Sequence, residues 1–319
     1  MAGDKLSQRI AHVLFALAVV AALVTLRLVV SEDRGLERLH GFESVAGVDV
    51  GPDHDYFGNG LNGDAATITL IALDPLGADV GRSLFEPAYR YTRLAVPWMS
   101  ALVTLGNPDL VLLGLSVIGL ASVGGLAYLA SRQRHEWGRR SWLLIANPAL
   151  VQGALGDTTE AMALFLLAVS MLTGSLLLAV ATGLTRESYL PALAGRPRQL
   201  IAGLASVLVV RTVWAWRLDD TFLSVSAQIG WPLMGILENP SLLGWLVTAA
   251  GLATAVVGFW KRDLGWIAGG AFVLLFAAGP FHTPTNAVRA AGYLPVLWAF
   301  GPNWQPARVT QASHVVDDH

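Results

Sequence analysis

LVLLGLSVIGLASVGGLAYLA, residues Leu110–Ala130, is a run of 21 residues without a single charge. At ~1.5 Å of rise per residue, a helix of that length crosses the ~30 Å hydrocarbon core of a bilayer. Uncharged runs of similar length follow at Ala161–Thr185 (25 residues), Ser241–Trp260 (20) and Leu264–Phe281 (18). The whole chain has the same character: of 319 residues, 54% are hydrophobic and 14% charged, with a mean hydropathy of +0.54. Soluble domains carry about a quarter of their residues as charges. The reading is an all-α polytopic membrane protein. It excludes a soluble enzyme, a disordered chain and a β-barrel, whose strands would alternate in polarity. A net charge of −2 provides no basic surface for nucleic acid. With no cysteine, the chain has no disulfide, thiolate metal site, Fe–S cluster or c-type haem. Its seven histidines show no ligand spacing, so neither a metal nor another cofactor is expected.

Charge distribution orients the spans. Lys5 and Arg9 precede an apolar stretch, Ile10–Val30, read as an uncleaved first span because Leu28-Val29-Val30 lacks small residues for cleavage. The segment Ser31–Arg90 holds 11 of the 23 acidic residues and four arginines. Basic clusters lie at Arg132, Arg134, Arg139 and Arg140, at Arg196 and Arg198, at Lys261 and Arg262, and at Arg308. The positive-inside rule places these clusters and both termini in the cytoplasm, and the acidic segment outside a cell membrane crossed several times. Four regions follow: an N-terminal tail and first span over 1–30, an outer loop with an interfacial helix over 31–107, a transmembrane bundle over 108–301, and a cytoplasmic tail over 302–319. Leu94–Leu105, interrupted by Pro97, is too short to span and is expected to lie in the interface or re-enter. Ala161–Thr185 has two readings. One is a single ~37 Å helix that places Arg186 inside; the other breaks at Thr173-Gly174-Ser175 and returns Arg186 to the outer half. Length favours the single helix.

Ionisable groups at membrane depth are costly and mark function. The candidates, all expected toward one face, are Asp64, Asp74, Arg90, Arg93, Asp157, Glu160, Arg186, Glu187 and Arg289. Each also has a plainer reading. Asp157 with Glu160 three residues on is a helix N-cap pattern. Arg90 and Arg93 suit lipid headgroups. Arg27 and Arg211 read as snorkelling or structurally paired, and Trp98, Trp214, Trp216, Trp231, Trp245 and Trp298 as an interfacial belt.

The order of these pieces resembles the GT-C superfamily, membrane glycosyltransferases that use polyprenyl-phosphate-linked sugars, in particular members that build bacterial and archaeal cell-surface glycopolymers. The resemblance rests on Asp64 standing ten residues before Asp74 in Ile71-Ala72-Leu73-Asp74-Pro75, on Tyr89-Arg90-Tyr91-Thr92-Arg93 with Pro97 beyond, on Asp157–Glu160, on Thr185-Arg186-Glu187, and on Arg289 ahead of Pro295. It departs where Ala65 follows the aspartate and where Ile68 and Thr69 replace expected tyrosines. The resemblance implies a GT-C-like helix bundle with a large outer loop and short or re-entrant helices. It also implies inverting transfer of a sugar to a glycan, lipid or protein acceptor on the outer face. Asp64 would then be the catalytic base, and Arg90, Arg93, Arg186 and Arg289 would hold the donor phosphate. Asp74, Asp157, Glu160 and Glu187 would support them. A transporter or flippase is the main alternative, although no internal repeat is visible. A non-catalytic scaffold derived from a degenerate glycosyltransferase is the other.

Overall fold

A computed structural model describes residues 6, 9–11, 13–21, 64–78, 84, 86–131, 147, 149–150, 153, 158–220, 231–276 and 284–300. Among the described residues the regular structure is helical, with no strand. The helices are α1 (Asp64–Leu73), α2 (Pro87–Arg90), α3 (Ala95–Val103), α4 (Pro108–Ser131), α5 (Thr158–Thr173) and α6 (Leu176–Gly183). A 3-10 helix (Glu187–Leu193) leads to α7 (Pro197–Leu218), α8 (Met234–Glu238), α9 (Leu242–Lys261), α10 (Leu264–Leu274), α11 (Pro284–Ala290) and α12 (Tyr293–Phe300).

Three helices are long and apolar enough to cross a membrane: α4 over Leu110–Ser131, α7 and α9. Two of them leave wide apolar faces uncovered, with Ile201, Leu208 and Val213 exposed on α7 and Leu246, Leu252 and Phe259 on α9. Faces of that extent are unfavourable in water. Hydroxyls on these and neighbouring helices bond back to their own helix: Ser122 donates to the Ile118 carbonyl, Thr248 to Gly244 and Thr254 to Ala250. Such bonds satisfy a hydroxyl that has no water to meet.

The structure corrects the single-helix reading of Ala161–Thr185. The chain breaks after Thr173, and Gly174 adopts φ +73°, the left-handed region that glycine tolerates. Ser175 restarts the chain by capping α6, its hydroxyl accepting from the Leu178 amide at 3.4 Å. The two arms pack against each other, and Arg186 returns to the end of the hairpin that carries Glu160. Length alone misleads here because a Gly-Ser pair at the midpoint makes two short helices as accessible as one long one. A Cβ at Gly174 would meet nothing within 4 Å. Gly174→Ala is therefore expected to destabilise by only about 1 kcal/mol, the conformational cost alone, readable as a small shift in thermal unfolding.

Other expected spans are also shorter than read. Leu264–Phe281 is helical only over α10, and the last stretch divides into α11 and α12 around Ala291-Gly292. Trp142–Leu155 lies largely outside the described residues, as do most of Ile10–Val30 and the basic clusters at 132–140 and 308. Residues 13–21 are helical, and Ala16 and Val20 are buried in the same core as Val123 and Leu126 of α4. α3 matches the expected short helix interrupted by Pro97.

α1 was not expected. Its sequence, with Thr67, Ile68, Thr69 and Ile71, is rich in β-branched residues that disfavour helix. Burial overrides that preference: Ile68, Leu70, Ile71 and Ala72 are all buried. Leu70 and Ile71 share a core with Tyr91 and Trp214, whose rings lie 4.4 Å apart. Trp214 is thus a core residue rather than a belt tryptophan, whereas Trp216, Trp231 and Trp245 are exposed.

α9 and α10 form the closest helix pair. Asp263 caps α10 by accepting from the Trp266 amide at 2.9 Å, directly after Arg262 turns the chain. Along this hairpin Gly251, Gly258 and Gly270 let the two backbones touch.

Candidate functional site

The break between α5 and α6 decides the site, because it brings the chain segments at 160, 186 and 289 together. Glu160, in the first turn of α5, is completely buried. Its Oε1 accepts from Arg186 Nη1 and from Arg289 Nε and Nη2 at 3.0 and 2.7 Å. Its Oε2 accepts from Thr159 Oγ1 at 3.0 Å. One carboxylate thus holds two guanidinium groups, each less than a tenth exposed.

A second pair stands beside the first. Arg93 forks onto Glu187, Nε to Oε2 at 3.3 Å and Nη2 to Oε1 at 3.1 Å. This is the planar two-bond geometry that suits arginine to carboxylates and phosphates alike. Arg93 Nη2 also donates to the Tyr89 hydroxyl. The Glu187 side chain is 22% exposed, the most open of these charged groups. Its burial works to raise the carboxyl pKa, but the charge and hydrogen bond of Arg93, together with Arg186, outweigh it. The group is held below the usual carboxylate range. Glu187 therefore stays ionised, and paired, down to pH values below that range.

Two tyrosines tie the pairs into one unit. Tyr189 is fully buried and lies within the field of Arg186, Glu160, Arg289 and Arg93. Its hydroxyl donates to the Arg289 carbonyl at 2.9 Å. Arg93, Arg211 and Arg90 surround the Tyr89 ring at 4.7, 5.3 and 5.7 Å from its centroid, within cation–π range. The three arginines and two glutamates of the ion pairs carry a surplus of one positive charge, and Arg90 and Arg211 stand against the same edge.

Of the residues singled out from sequence, Arg90, Arg93, Glu160, Arg186, Glu187 and Arg289 converge here. Asp74 has a different setting: its Oδ1 accepts from the Ala78 amide at 3.0 Å and its carbonyl from the Tyr91 hydroxyl at 2.9 Å, so it shapes the turn after α1. Asp64 begins α1, and its side chain lies outside the described residues, as does Asp157. Sequence reading gave no role to Tyr89, Tyr189 or Arg211. The four-residue step from Tyr89 to Arg93 was a visible signal, since it sets both side chains on one face of a helical turn. Arg211 gave none, because its partner ring is distant in the chain. Among the described residues, no three His, Cys, Asp or Glu side chains gather as a metal site.

Comparison with family models, curated proteins and solved structures gave no match.

Proposed function

We propose that this chain is a multi-pass membrane glycosyltransferase of the GT-C type. It transfers a sugar from a polyprenyl phosphate to a glycan, lipid or protein acceptor on the outer face of the cell membrane. The observation that carries this reading is the buried assembly of Arg93, Arg186 and Arg289 on only two carboxylates. Buried charges are normally balanced, and a positive surplus in a shielded setting favours an anion of the size and charge of a phosphate. Three candidate spans with lipid-suited faces support a donor held at a membrane.

The chemistry is a direct displacement. The acceptor oxygen attacks the anomeric carbon and forms the new C–O bond as the bond from that carbon to the phosphate oxygen breaks. The electron pair leaves with the phosphate, and the arginines neutralise the charge it gains. The acceptor proton passes to a carboxylate, which we assign to Asp64, and the configuration inverts. Glu160 and Glu187 orient the arginines and do not touch the sugar.

Deleting the gene is expected to remove one sugar from the surface glycans seen by mass spectrometry, and wild type to restore it. Asp64→Asn and Arg93→Lys, at matched membrane levels, should restore less than about a hundredth of transfer, since each removes a base or a two-bond phosphate fork. An unchanged glycan profile in the deletion strain would sink the proposal. Full restoration by Asp64→Asn would move the base elsewhere.

A further inference from the structure

Beside the charged cluster lies a cavity of about 380 Å³, walled by α9 on one side and by α11 and α12 on the other. Val288 and Gly292, on either side of Arg289, belong to its lining, which continues along the chain to Trp298. That is about 15 Å of chain at helical rise. Arg289 itself turns to Glu160, so the cavity begins where the cationic cluster ends.

Its polar side chains are turned to the protein. Asn147, buried, donates to the Gly292 carbonyl at 2.7 Å and accepts from the Ala149 amide at 3.1 Å. Thr254 donates to the Ala250 carbonyl at 2.7 Å and accepts from Trp298 Nε1 at 2.9 Å. The remainder of the wall is aliphatic, including Val247, Ala291 and Leu294. A sugar entering here would exchange its water for walls whose hydroxyl and indole already have partners, at a net loss. Hydrocarbon gains on entry, and an apolar cavity of this kind holds water poorly. One wall is α9, a candidate span whose other faces are apolar and exposed, so a chain can arrive sideways from lipid.

We infer that this cavity holds the first part of the isoprenoid chain of the donor lipid, the phosphate of that same molecule resting on the arginine cluster at Arg289. The inference rests on the donor class proposed above and adds where its chain lies. A hydrocarbon tail and an anionic head on one molecule match an apolar cavity that abuts a surplus of positive charge.

The test uses the full chain in lipid nanodiscs and two photoreactive probes: a diazirine-bearing polyprenyl phosphate and a phosphatidylcholine with a diazirine in its acyl chain. Labelled peptides are mapped by mass spectrometry. The expected result is that the polyprenyl probe labels segments 247–254 and 288–298, and that unlabelled polyprenyl phosphate competes. Ala250, exposed beside the cavity, is then replaced by Phe, which fills the space from the lipid side without touching the core. Ala250→Phe should weaken labelling and raise the KM for the lipid donor by about tenfold, with unfolding unchanged. Equal labelling by phosphatidylcholine would overturn the inference in favour of bulk lipid. Labelling elsewhere, with competition intact and with loss in Arg186→Lys, would overturn it while leaving the donor class standing. No competed labelling at any segment would overturn both.

Discussion

Exchanging Glu160 for glutamine is expected to destabilise the protein by about 3–5 kcal/mol, the usual cost of stranding a buried charge. Here one carboxylate neutralises two guanidinium groups, Arg186 and Arg289, both nearly inaccessible to solvent. A neutral amide of the same size keeps the packing and removes the compensating charge. Thermal unfolding in detergent should fall by on the order of 10 °C. Removing Arg289 as well, in Glu160→Gln with Arg289→Gln, should recover part of that loss, because one uncompensated cation goes with it. Glu187→Gln serves as the comparison. Its partner Arg93 is similarly buried, but the carboxylate is partly open to water, so the expected loss is smaller. Unfolding of Glu160→Gln within a degree or two of wild type would show that the pair of arginines is balanced by something other than Glu160.

The second large effect is at Gly270. A Cβ there would stand 2.4 Å from both the Ala255 amide nitrogen and the Gly251 carbonyl oxygen. These are backbone atoms of α9 and cannot rotate aside, so any side chain forces the hairpin apart. The contact area lost is that of the closest helix pair in the fold. Gly270→Leu should cost more than about 4 kcal/mol, the range in which single substitutions abolish a fold. Its readout is the yield of monodisperse protein after extraction, expected to fall sharply while Gly174→Ala extracts like wild type. Equal yields for the two variants would contradict the close α9–α10 packing.

How much of this was legible beforehand differs from element to element. The long apolar helices α4 and α9 are visible in the sequence because absence of charge over about 20 residues is itself the physical requirement. The short helix α3 is visible for a related reason, its length and Pro97. α1 was hidden, since a helix dense in threonine and isoleucine is stabilised by what buries it and not by its own preference. The charged residues of the site were legible as types: an ionisable group beside apolar runs is costly and calls for a partner. Which partner was not. Glu160 and Arg289 are separated by most of the second half of the chain, and Arg211 reaches a ring more than a hundred positions away.

The sequence by itself determined the helical class, the candidate spans and the list of arginines and carboxylates with a reason to be buried, because these follow from local composition. Tertiary structure alone decided that Ala161–Thr185 folds back on itself at Gly174. A straight helix and a hairpin bury similar apolar area, so the choice falls to the contacts each makes. The hairpin delivers Arg186 to Glu160 at the same end as Arg289; a straight helix would carry it to the opposite end and leave the buried carboxylate with one arginine fewer.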